Sequence, residues 1–441
     1  MVISRHITGK VRNARYVVET ILATIYFGIP WLHFQGKPLM RLDIPNRQFH
    51  LLGNIYIPQE GIYLHLFLGV MGLSLFFFTA LIGRVWCGWA CPQTVFTDFF
   101  DLWGRLILGK KYGKKDAPKG RKLLLHFFWI VFSFIASFHF VAYFKDPVAM
   151  IGELASLQFV ADSSYTYFLA FFTGLLYVDM TLVREQFCKY ACPYARFQTV
   201  LMDEHSYNVT YDYKRGEPRR NKKVKIGDCT AYNMCLVVCP TGIDIRDGLN
   251  VGCIACGKCV DACTIQMNKE NKKTLIGYNS LGKVETGKKI KWVRPRTLIY
   301  GSLWCMILVV AVVLLYNRVP LYIRAIPDRT IAPMLIPGEQ IRNFYNLRII
   351  NISYEQQDLQ LRLDKGDYKG NVKLRVGGKG SLVSVAKNSE EKIRIIVEAD
   401  NVAKNRQQKT NYPIELIITD KNNTEIRKTA VLPLILVKGS G

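Results

Sequence analysis

The chain has 441 residues, of which 50% are hydrophobic, and a formal net charge of +25 at pH 7. The positive charge does not indicate a nucleic-acid partner, because Lys and Arg lie in blocks beside long apolar segments, as at 110–122 and 214–225. Basic blocks in this position are typical of the cytoplasmic loops of membrane proteins. We therefore predict a multidomain membrane protein without a nucleic-acid partner.

Five apolar blocks have close to the ~20 residues that a spanning helix needs. They predict five transmembrane helices, at 16–34, 62–82, 123–144, 165–183 and 297–316. Basic residues are frequent before the first block, after the second and after the fourth, whereas the loop 145–164 has one Lys and no Arg. This asymmetry predicts a cytoplasmic N-terminus and an external C-terminus. The first four helices define a membrane domain over residues 1–213.

Eleven of the 12 cysteines fall into four tight groups. Spacings of two or three residues suit metal thiolates better than a disulfide framework. Thiolate sites favour a reducing compartment, so we expect these groups on the cytoplasmic side. The groups are Cys87 and Cys91; Cys188 and Cys192; Cys229, Cys235 and Cys239; and Cys253, Cys256, Cys259 and Cys263.

The most specific motif is CIACGKCVDAC at 253–263, which reads C-x-x-C-x-x-C-x-x-x-C, the run of bacterial iron–sulfur proteins. The run at 229–239 has the same frame, but Tyr232 stands where the second Cys belongs. In two-cluster ferredoxins the fourth Cys of each run ligates the other run's cluster. This rule predicts a complete 4Fe-4S cluster and an altered cluster. The complete cluster has Cys239, Cys253, Cys256 and Cys259, and the altered one has Cys229, Cys235 and Cys263, with Tyr232 in the fourth slot.

Tyr232 leaves several alternatives open for the altered cluster. Three thiolates can hold a three-iron cluster, or a four-iron cluster whose last ligand is the Tyr phenolate or water. The third alternative is an empty site. Zinc is the alternative for the whole region, but seven Cys at these offsets favour iron–sulfur. The runs predict a cytoplasmic ferredoxin-like α+β domain over residues 214–296.

An internal repeat follows the second and fourth apolar blocks. GRVWCGWACP at 83–92 and REQFCKYACP at 184–193 both contain C-x-x-x-C-P. Cysteines four residues apart share one helix face, so the two pairs can offer four sulfurs to one centre. Soft ligands select Cu(I), zinc or iron–sulfur, whereas the alternative is that small Cys residues only allow close helix packing. The sulfurs belong to Cys87, Cys91, Cys188 and Cys192.

Other polar residues lie near or within the apolar blocks. Arg84 and Arg184 precede the two Cys pairs, and we expect them to lower the thiol pKa. Ionisable residues within spans are often functional, but for His65, His126 and Asp179 we favour packing or helix–helix hydrogen bonds over metal ligation.

The composition changes after residue 316. Alternating apolar and polar residues at 347–363, 371–378, 391–400 and 412–419 predict strands, separated by turns. They predict an all-β sandwich over residues 317–441. This part has no Cys and no His, so we predict a docking or shielding role for it.

These motifs together resemble the FixG/CcoG family of cytochrome c oxidase accessory proteins. The resemblance rests on both C-x-x-x-C-P segments, both cysteine runs and VRPRTLIYG at 293–301. It implies a multi-pass protein of the bacterial inner membrane, with a cytoplasmic iron–sulfur domain and a periplasmic immunoglobulin-like C-terminal domain. Tyr232 departs from the family's pattern, which has Cys there.

The resemblance also implies an activity. It is the reduction of Cu(II) to Cu(I) for assembly of the cbb-type oxidase, with a copper transporter or chaperone and oxidase assembly factors as partners. By the same resemblance, Cys87, Cys91, Cys188 and Cys192 contact copper. Two alternatives stay open: a quinol-dehydrogenase-type subunit with a quinone pocket near His65 or Asp179, and a non-enzymatic assembly scaffold or redox sensor. The electron donor is not identified.

Overall fold

The computed structural model describes all residues except 1–3, 35, 115, 157–163, 221–225, 329, 338–339, 378–380, 401, 403–404, 406–409, 424–425 and 437–441. Parts of the predicted external loop 145–164, of the basic block 214–225 and of the predicted strand 371–378 therefore lie outside the described residues. The chain divides into two compact units, Met1–Ile44 with Ile62–Ala311, and Pro45–Gly61 with Val312–Gly441.

Within the described residues, four helices are long and apolar enough to cross a membrane. They correspond to the second to fifth predicted spans, which supports a membrane protein of several domains. Shorter helices lie between them in the first unit. The four long helices are Pro58–Ile82, Lys119–Ala142, Ser164–Val183 and Pro295–Tyr316, and the shorter ones are Val85–Trp89, Pro92–Leu108, Pro147–Ala155 and Pro193–Leu201.

The first predicted span differs from the helix observed there. The N-terminal helix is Lys10–Gly28, and a 3₁₀ turn, Ile29–Trp31, follows it. Three of its charged residues, Arg12, Arg15 and Glu19, are buried. Because these charges lower its apolar character, it is not among the four long apolar helices of the described chain. A fifth span stays a prediction.

The cysteine runs lie in a small α+β fold within the first unit. Its strands Asn208–Tyr211 and Ile276–Asn279 pair antiparallel, so the fold begins before the predicted boundary at residue 214. Apolar side chains that include Val209, Val260 and Ile276 form its core, and the cysteines pack against them. Its helices are Tyr213–Gly216, Met234–Val237, Lys258–Asn268 and Leu281–Thr286.

The second unit is a β-sandwich. In the described residues one sheet has the strand order Val372–Val376, Ser389–Ala399, Gln340–Asn351 and Leu321–Pro327, with Met334–Ile336 also paired to Gln340–Asn351. The other has the order Leu382–Val385, Gln357–Asp364, Asn411–Asp420 and Arg427–Ile435. Buried and exposed residues alternate along these strands, so one face of each sheet supplies the core. The predicted strand 347–363 is two strands, which a turn separates.

The second unit also includes a β-hairpin from before residue 62, which was not predicted from the sequence. Strands Gln48–Leu51 and Asn54–Tyr56 form this hairpin. Arg318 forms an ion pair with Glu60 at 2.7 Å, and the His50 imidazole hydrogen-bonds the Tyr354 hydroxyl at 2.7 Å. Polar side-chain contacts thus attach residues 45–61 to the β-sandwich.

Candidate iron–sulfur and thiol site

The two cysteine runs enclose two cavities, which we name the inner and the outer cavity. The inner cavity lies at the second run and the end of the first. The four cysteines that the crosswise ferredoxin rule assigns to the complete cluster all line it. They are Cys239, Cys253, Cys256 and Cys259.

The outer cavity lies at the first run and the end of the second. It is lined by Cys229, Cys235 and Cys263, with Tyr232 beside them. These are the residues that the same rule assigns to the altered cluster. Cys235 also lines the inner cavity, so the two cavities share a wall.

The backbone of the two cysteine loops has the same conformation. In the loop of the second run, Ala255 and Gly257 have positive φ angles of 52° and 73°. At the same offsets in the first run, Ala231 and Asn233 have φ angles of 54° and 57°. Left-handed residues are uncommon outside glycine, so the match is specific. The first run keeps the cluster-loop conformation although Tyr232 replaces a cysteine.

The walls of both cavities fit an iron–sulfur cluster. Thiolates are the ligands of such clusters, and hydrogen bonds to sulfur help to set their reduction potential. The Ala255 N–H donates to Cys253 Sγ, and the Leu275 N–H donates to Cys263 Sγ, both at 3.4 Å. Burial raises the pKa of the Cys253 thiol to about 12. A metal ion must therefore displace the proton for this thiol to bind it.

The two loops differ in exposure. Cys256 is 8% exposed, whereas Tyr232, at the equivalent loop position, is 56% exposed. The Lys269 ammonium lies 6.0 Å from the centre of the Tyr232 ring. Two buried thiols, Cys253 and Cys256, thus line the inner cavity, whereas the outer cavity is bounded by a side chain that reaches solvent.

The C-x-x-x-C-P repeat is also a structural repeat. Gly83 and Arg184 occupy equivalent positions and have φ angles of 56° and 51°, which turn the backbone sharply at each helix exit. In each copy the second Cys is extended and a proline then begins the next helix, a position that proline favours. The sequence similarity therefore produces two similar turns. We name the four sulfurs that they carry the membrane-edge thiols: Cys87, Cys91, Cys188 and Cys192.

The membrane-edge thiols lie within electrostatic range of one another. Burial, then the neighbouring Cys91, Cys87 and Cys192, raise the pKa of the Cys188 thiol to about 12. In the part of the chain that the structure describes, no three His, Cys, Asp or Glu side chains are placed to hold a single metal ion. The repeat brings the four thiols near each other without forming a ready-made mononuclear site.

The expected lowering of the thiol pKa by Arg84 and Arg184 is wrong. Burial raises the pKa of Cys87 to about 12, because the favourable charge of Arg84 is outweighed by loss of solvent. The Arg184 guanidinium is paired with Asp101 and hydrogen-bonded to the Tyr112 hydroxyl at 3.1 Å. The charge of Arg84 therefore does not offset the burial of Cys87.

The membrane-edge thiols contact the loop that lines the inner cavity. Cys188 and Cys87 pack with Ile254 and Cys256. Gly88, between the cysteines of the first pair, allows this approach, because a Cβ there would lie 2.4 Å from the Ile254 carbonyl oxygen and 2.6 Å from the Cys256 nitrogen. Even an alanine at this position requires the loop to move.

Hydrogen bonds hold the same contact. The buried Arg84 guanidinium donates to the carbonyl of Val251 and, at 3.2 Å, to that of Cys253. It also donates to Ala195 and Thr199 in the helix that follows the second Cys pair. One side chain therefore joins both C-x-x-x-C-P segments to the loop of the inner cavity.

A second hydrogen-bonded path reaches the same loop. The Trp89 indole N–H donates to the Tyr278 hydroxyl at 2.8 Å, and this hydroxyl donates to the Ala255 carbonyl at 2.7 Å. No pattern in the sequence indicates these links, because their partners are far apart along the chain.

A buried ion cluster supports the inner cavity from the other side. Asp98 contacts Arg12 and Arg15, each at 2.6 Å, and Lys258 at 3.5 Å. Although burial opposes its charge, Lys258, Arg15 and Arg12 hold the pKa of Asp98 well below its usual range. The Arg12 N–H also donates to Asp261 at 2.8 Å. The N-terminal helix and Pro92–Leu108 are thus joined to the helix that follows the cysteine loop.

The polar residues of the spans form hydrogen bonds between helices. The His126 imidazole pairs with the Tyr177 hydroxyl at 3.0 Å, and Asp179 accepts from the Gln93 side chain at 3.2 Å. These contacts agree with the expectation that His126 and Asp179 form hydrogen bonds between helices. His65 lies within Gly61–Ile82.

Comparison with known proteins gives three matching family models. Residues 183–281 match a 4Fe-4S dicluster domain, and residues 64–111, which include Cys87 and Cys91, match a 4Fe-4S binding domain. Residues 311–432 match the IG-like fold at the C-terminus of FixG. Both cysteine runs and the β-sandwich thus lie in domains found in known proteins.

The matches to whole proteins decide the family. The chain is 34% identical over 421 residues to Protein RdxA of Cereibacter sphaeroides, covering 90% of this chain and 88% of that protein. It is 28% identical to the nitrogen fixation protein FixG of Rhizobium meliloti, covering 81% of this chain and 78% of that protein. The chain belongs to the FixG family. Protein RdxB of Cereibacter sphaeroides is similar too, with 32% identity over 82% of this chain and 81% of that protein.

The family and the structure together indicate the general function of the protein. This FixG-family protein is a polyferredoxin-type membrane protein with a C-terminal immunoglobulin-like domain. Its iron–sulfur domains make it an electron-transfer protein. The resemblance inferred from the motifs is confirmed.

Proposed function

We propose that this FixG-family protein reduces Cu(II) to Cu(I) at the membrane-edge thiols, in the assembly of a cbb-type cytochrome c oxidase. The observation that supports this proposal is the direct packing of Cys87 and Cys188 against Cys256 and its loop. A soft-ligand site and a one-electron centre are thereby neighbours. Copper is the substrate and does not reside in the protein.

The chemistry of the two sites is complementary. Iron–sulfur clusters, when bound in the inner and outer cavities, supply one-electron redox chemistry. Each Cu(II) gains one electron from a reduced cluster to become Cu(I), and the only bonds of the protein that break are the S–H bonds of the thiols that bind copper. Sulfur ligands favour Cu(I) over harder ions, so thiols at this position stabilise the product. The proton of each raised-pKa thiol must leave when copper binds.

The chain's own residues keep the two sites together. Gly88 permits the approach, and Arg84 and Trp89 hold it through hydrogen bonds to the cysteine loop. Cys235 belongs to the walls of both cavities. The thiols, the inner cavity and the outer cavity thus follow one another as neighbours.

The proposed setting is the bacterial inner membrane. The basic loops favour a cytoplasmic N-terminus and iron–sulfur domain, and a periplasmic β-sandwich. A copper transporter or chaperone and oxidase assembly factors are the proposed partners. The β-sandwich has neither Cys nor His, so its proposed role is to contact such partners.

The test is anaerobic low-temperature EPR of the reduced protein before and after stoichiometric Cu(II). The Cu(II) signal should vanish as the reduced-cluster signal is lost. A Cys188→Ser/Cys192→Ser variant should leave the Cu(II) signal in place. Cys305→Ser is the control, because Cys305 is exposed and lies outside the four groups, and it should behave as wild type. A Cu(II) signal that persists beside reduced wild-type clusters would contradict the proposal and favour a quinol-linked or scaffold role.

A second occupant of the membrane-edge thiols has its own support. The match of residues 64–111 to a 4Fe-4S binding domain includes Cys87 and Cys91, which favours an additional cluster at these thiols. Iron analysis separates the two candidates. Iron per chain should be unchanged in the Cys188→Ser/Cys192→Ser variant if the thiols serve copper, and should fall if they hold a cluster.

A further inference from the structure

A third cavity, the surface pocket, lies on the far side of the outer cavity's wall. Four residues line both the outer cavity and the surface pocket: Tyr232, Met234, Ala262 and Gln266. Because the same side chains bound both spaces, one layer of residues separates the altered-cluster site from this pocket.

The rim of the surface pocket is basic. Arg5 and Lys269 line it, and both are exposed. Among the described residues that line the pocket there is no Asp or Glu. The next acidic residue along the chain, Glu270, is in an ion pair with Arg220 at 3.0 Å.

Exposed apolar side chains lie beside the basic rim. Tyr232 is 56% exposed, Val237 50%, Ile265 43% and Leu236 37%. The Arg5 N–H donates to the Val237 carbonyl at 3.2 Å, which attaches the basic N-terminal segment to these apolar residues. Apolar patches rimmed by charge mark interaction sites. We name this surface the Tyr232 face.

We propose that the Tyr232 face docks a small acidic one-electron carrier protein, which reduces the cluster of the outer cavity. The proposal rests on the proposed function, because Cu(II) reduction consumes the electrons that such a carrier would deliver. In each transfer the reduced carrier loses one electron and the cluster gains one. No bond forms or breaks and no proton moves between them.

The character of the surface favours a protein over a small ligand. Small-molecule sites enclose their ligand and place a few polar groups within a cavity. Here the cations stand at an exposed rim around apolar side chains. Transient redox complexes bury little area, and complementary charge mainly raises their association rate. The Tyr232 face is basic, and one layer of residues separates it from the outer cavity. It therefore suits a transient complex with an acidic redox protein.

The experiment uses the full chain in detergent, loaded with clusters and kept anaerobic. The probe is a purified acidic [2Fe–2S] ferredoxin, whose Kd is measured by interferometry and whose electron transfer is followed by stopped flow. For an Arg5→Glu/Lys269→Glu variant we expect binding and transfer to weaken about tenfold at low salt. High salt should also weaken the binding of the acidic ferredoxin to the wild-type protein.

Lys288→Glu/Lys289→Glu is the control, because these exposed lysines lie in the same part of the chain but do not line the pocket. It carries the same change in net charge and should bind nearly as wild type. Equal binding by the Arg5/Lys269 variant and wild type, or an equal loss in the control, overturns the proposal. Unchanged iron content shows that each variant is folded.

A further measurement separates the docking proposal from the proposed function. Dithionite reduces the clusters without a carrier, so the Arg5→Glu/Lys269→Glu variant reduced in this way should still convert Cu(II) to Cu(I). If wild-type protein reduced by dithionite fails to convert Cu(II) to Cu(I), the proposed function fails. The binding data then still show whether the Tyr232 face docks the acidic carrier.

Discussion

The inner and outer cavities have the same loop backbone but opposite surroundings. Cys253 and Cys256 are 8% exposed, and the membrane-edge thiols and the Arg84 guanidinium cover their loop. Tyr232, in the equivalent loop, is 56% exposed and borders a basic pocket. The cysteine spacing determines where each cavity forms, whereas the elements packed around the cavity determine whether buried thiols or a basic pocket border it.

The largest expected effect comes from the ion cluster behind the inner cavity. Asp98→Asn leaves Arg12 and Lys258 buried without this counter-charge, and leaves Arg15 with Glu19 alone, which should cost about 3–5 kcal/mol of stability. We expect thermal unfolding, followed by loss of cluster absorbance, at a clearly lower temperature. Asp228→Asn removes a partly exposed ion pair with Lys272 and should leave this temperature nearly unchanged. Equal shifts of the unfolding temperature in the two variants would show that the buried ion cluster stabilises the protein no more than the partly exposed ion pair does.

Arg84 provides the next test. Arg84→Gln removes a buried guanidinium that joins both C-x-x-x-C-P segments to the inner loop. Because hydrogen bonds to charged groups contribute about 1.5–3 kcal/mol each, we expect a loss of about 3 kcal/mol. Copper reduction should slow while the EPR signal of the outer cavity stays. Thermal unfolding and single-turnover kinetics measure the two effects, and an unaltered copper rate would argue against a coupling role.

Gly88 tests the close approach itself. Gly88→Ala forces Ile254 and Cys256 away from the first Cys pair, and such overpacking costs about 1–3 kcal/mol. We expect slower copper reduction and less stable iron in the inner cavity, measured by chelator challenge. Gly277→Ala is the comparison, because a Cβ there meets nothing within 4 Å. If both variants keep iron equally well, the contact is looser than described.

The smallest expected effect on stability concerns Tyr232. Tyr232→Cys supplies the missing fourth thiol in a loop that already has the cluster conformation. Iron per chain should stay the same or rise, and the EPR signal of the outer cavity should become that of a four-thiolate cluster. Tyr232→Phe should leave this signal unchanged, because the Tyr side chain is more exposed than buried. A changed signal in Tyr232→Phe would instead identify the phenolate as a ligand.

Much of the site could be predicted from local spacing. Cys-x-x-Cys offsets have a fixed relation to the loop that folds around a cluster, and the structure places Cys239 with the second run and Cys263 with the first. The β-strands follow from alternation, which depends only on neighbouring residues. The long apolar helices follow from composition.

Long-range packing could not be predicted in this way. Arg84 is close to Cys87 along the chain, and its charge favours a lower thiol pKa. Burial of Cys87 outweighs this effect and raises the pKa. The carbonyls that Arg84 binds at Val251 and Cys253 lie far along the chain. The basic rim likewise combines Arg5 with Lys269, which only the folded chain brings together.

In the proposed electron path, the inner cavity faces copper and the outer cavity faces the donor. The most direct test of this path compares Cys256→Ser with Cys263→Ser, each reduced by dithionite and mixed with Cu(II), after EPR has established that the other cavity's cluster is retained. We expect Cys263→Ser to reduce Cu(II) at the wild-type rate and Cys256→Ser to fail to do so. Rapid copper reduction by Cys256→Ser, with loss in Cys263→Ser, would contradict this path.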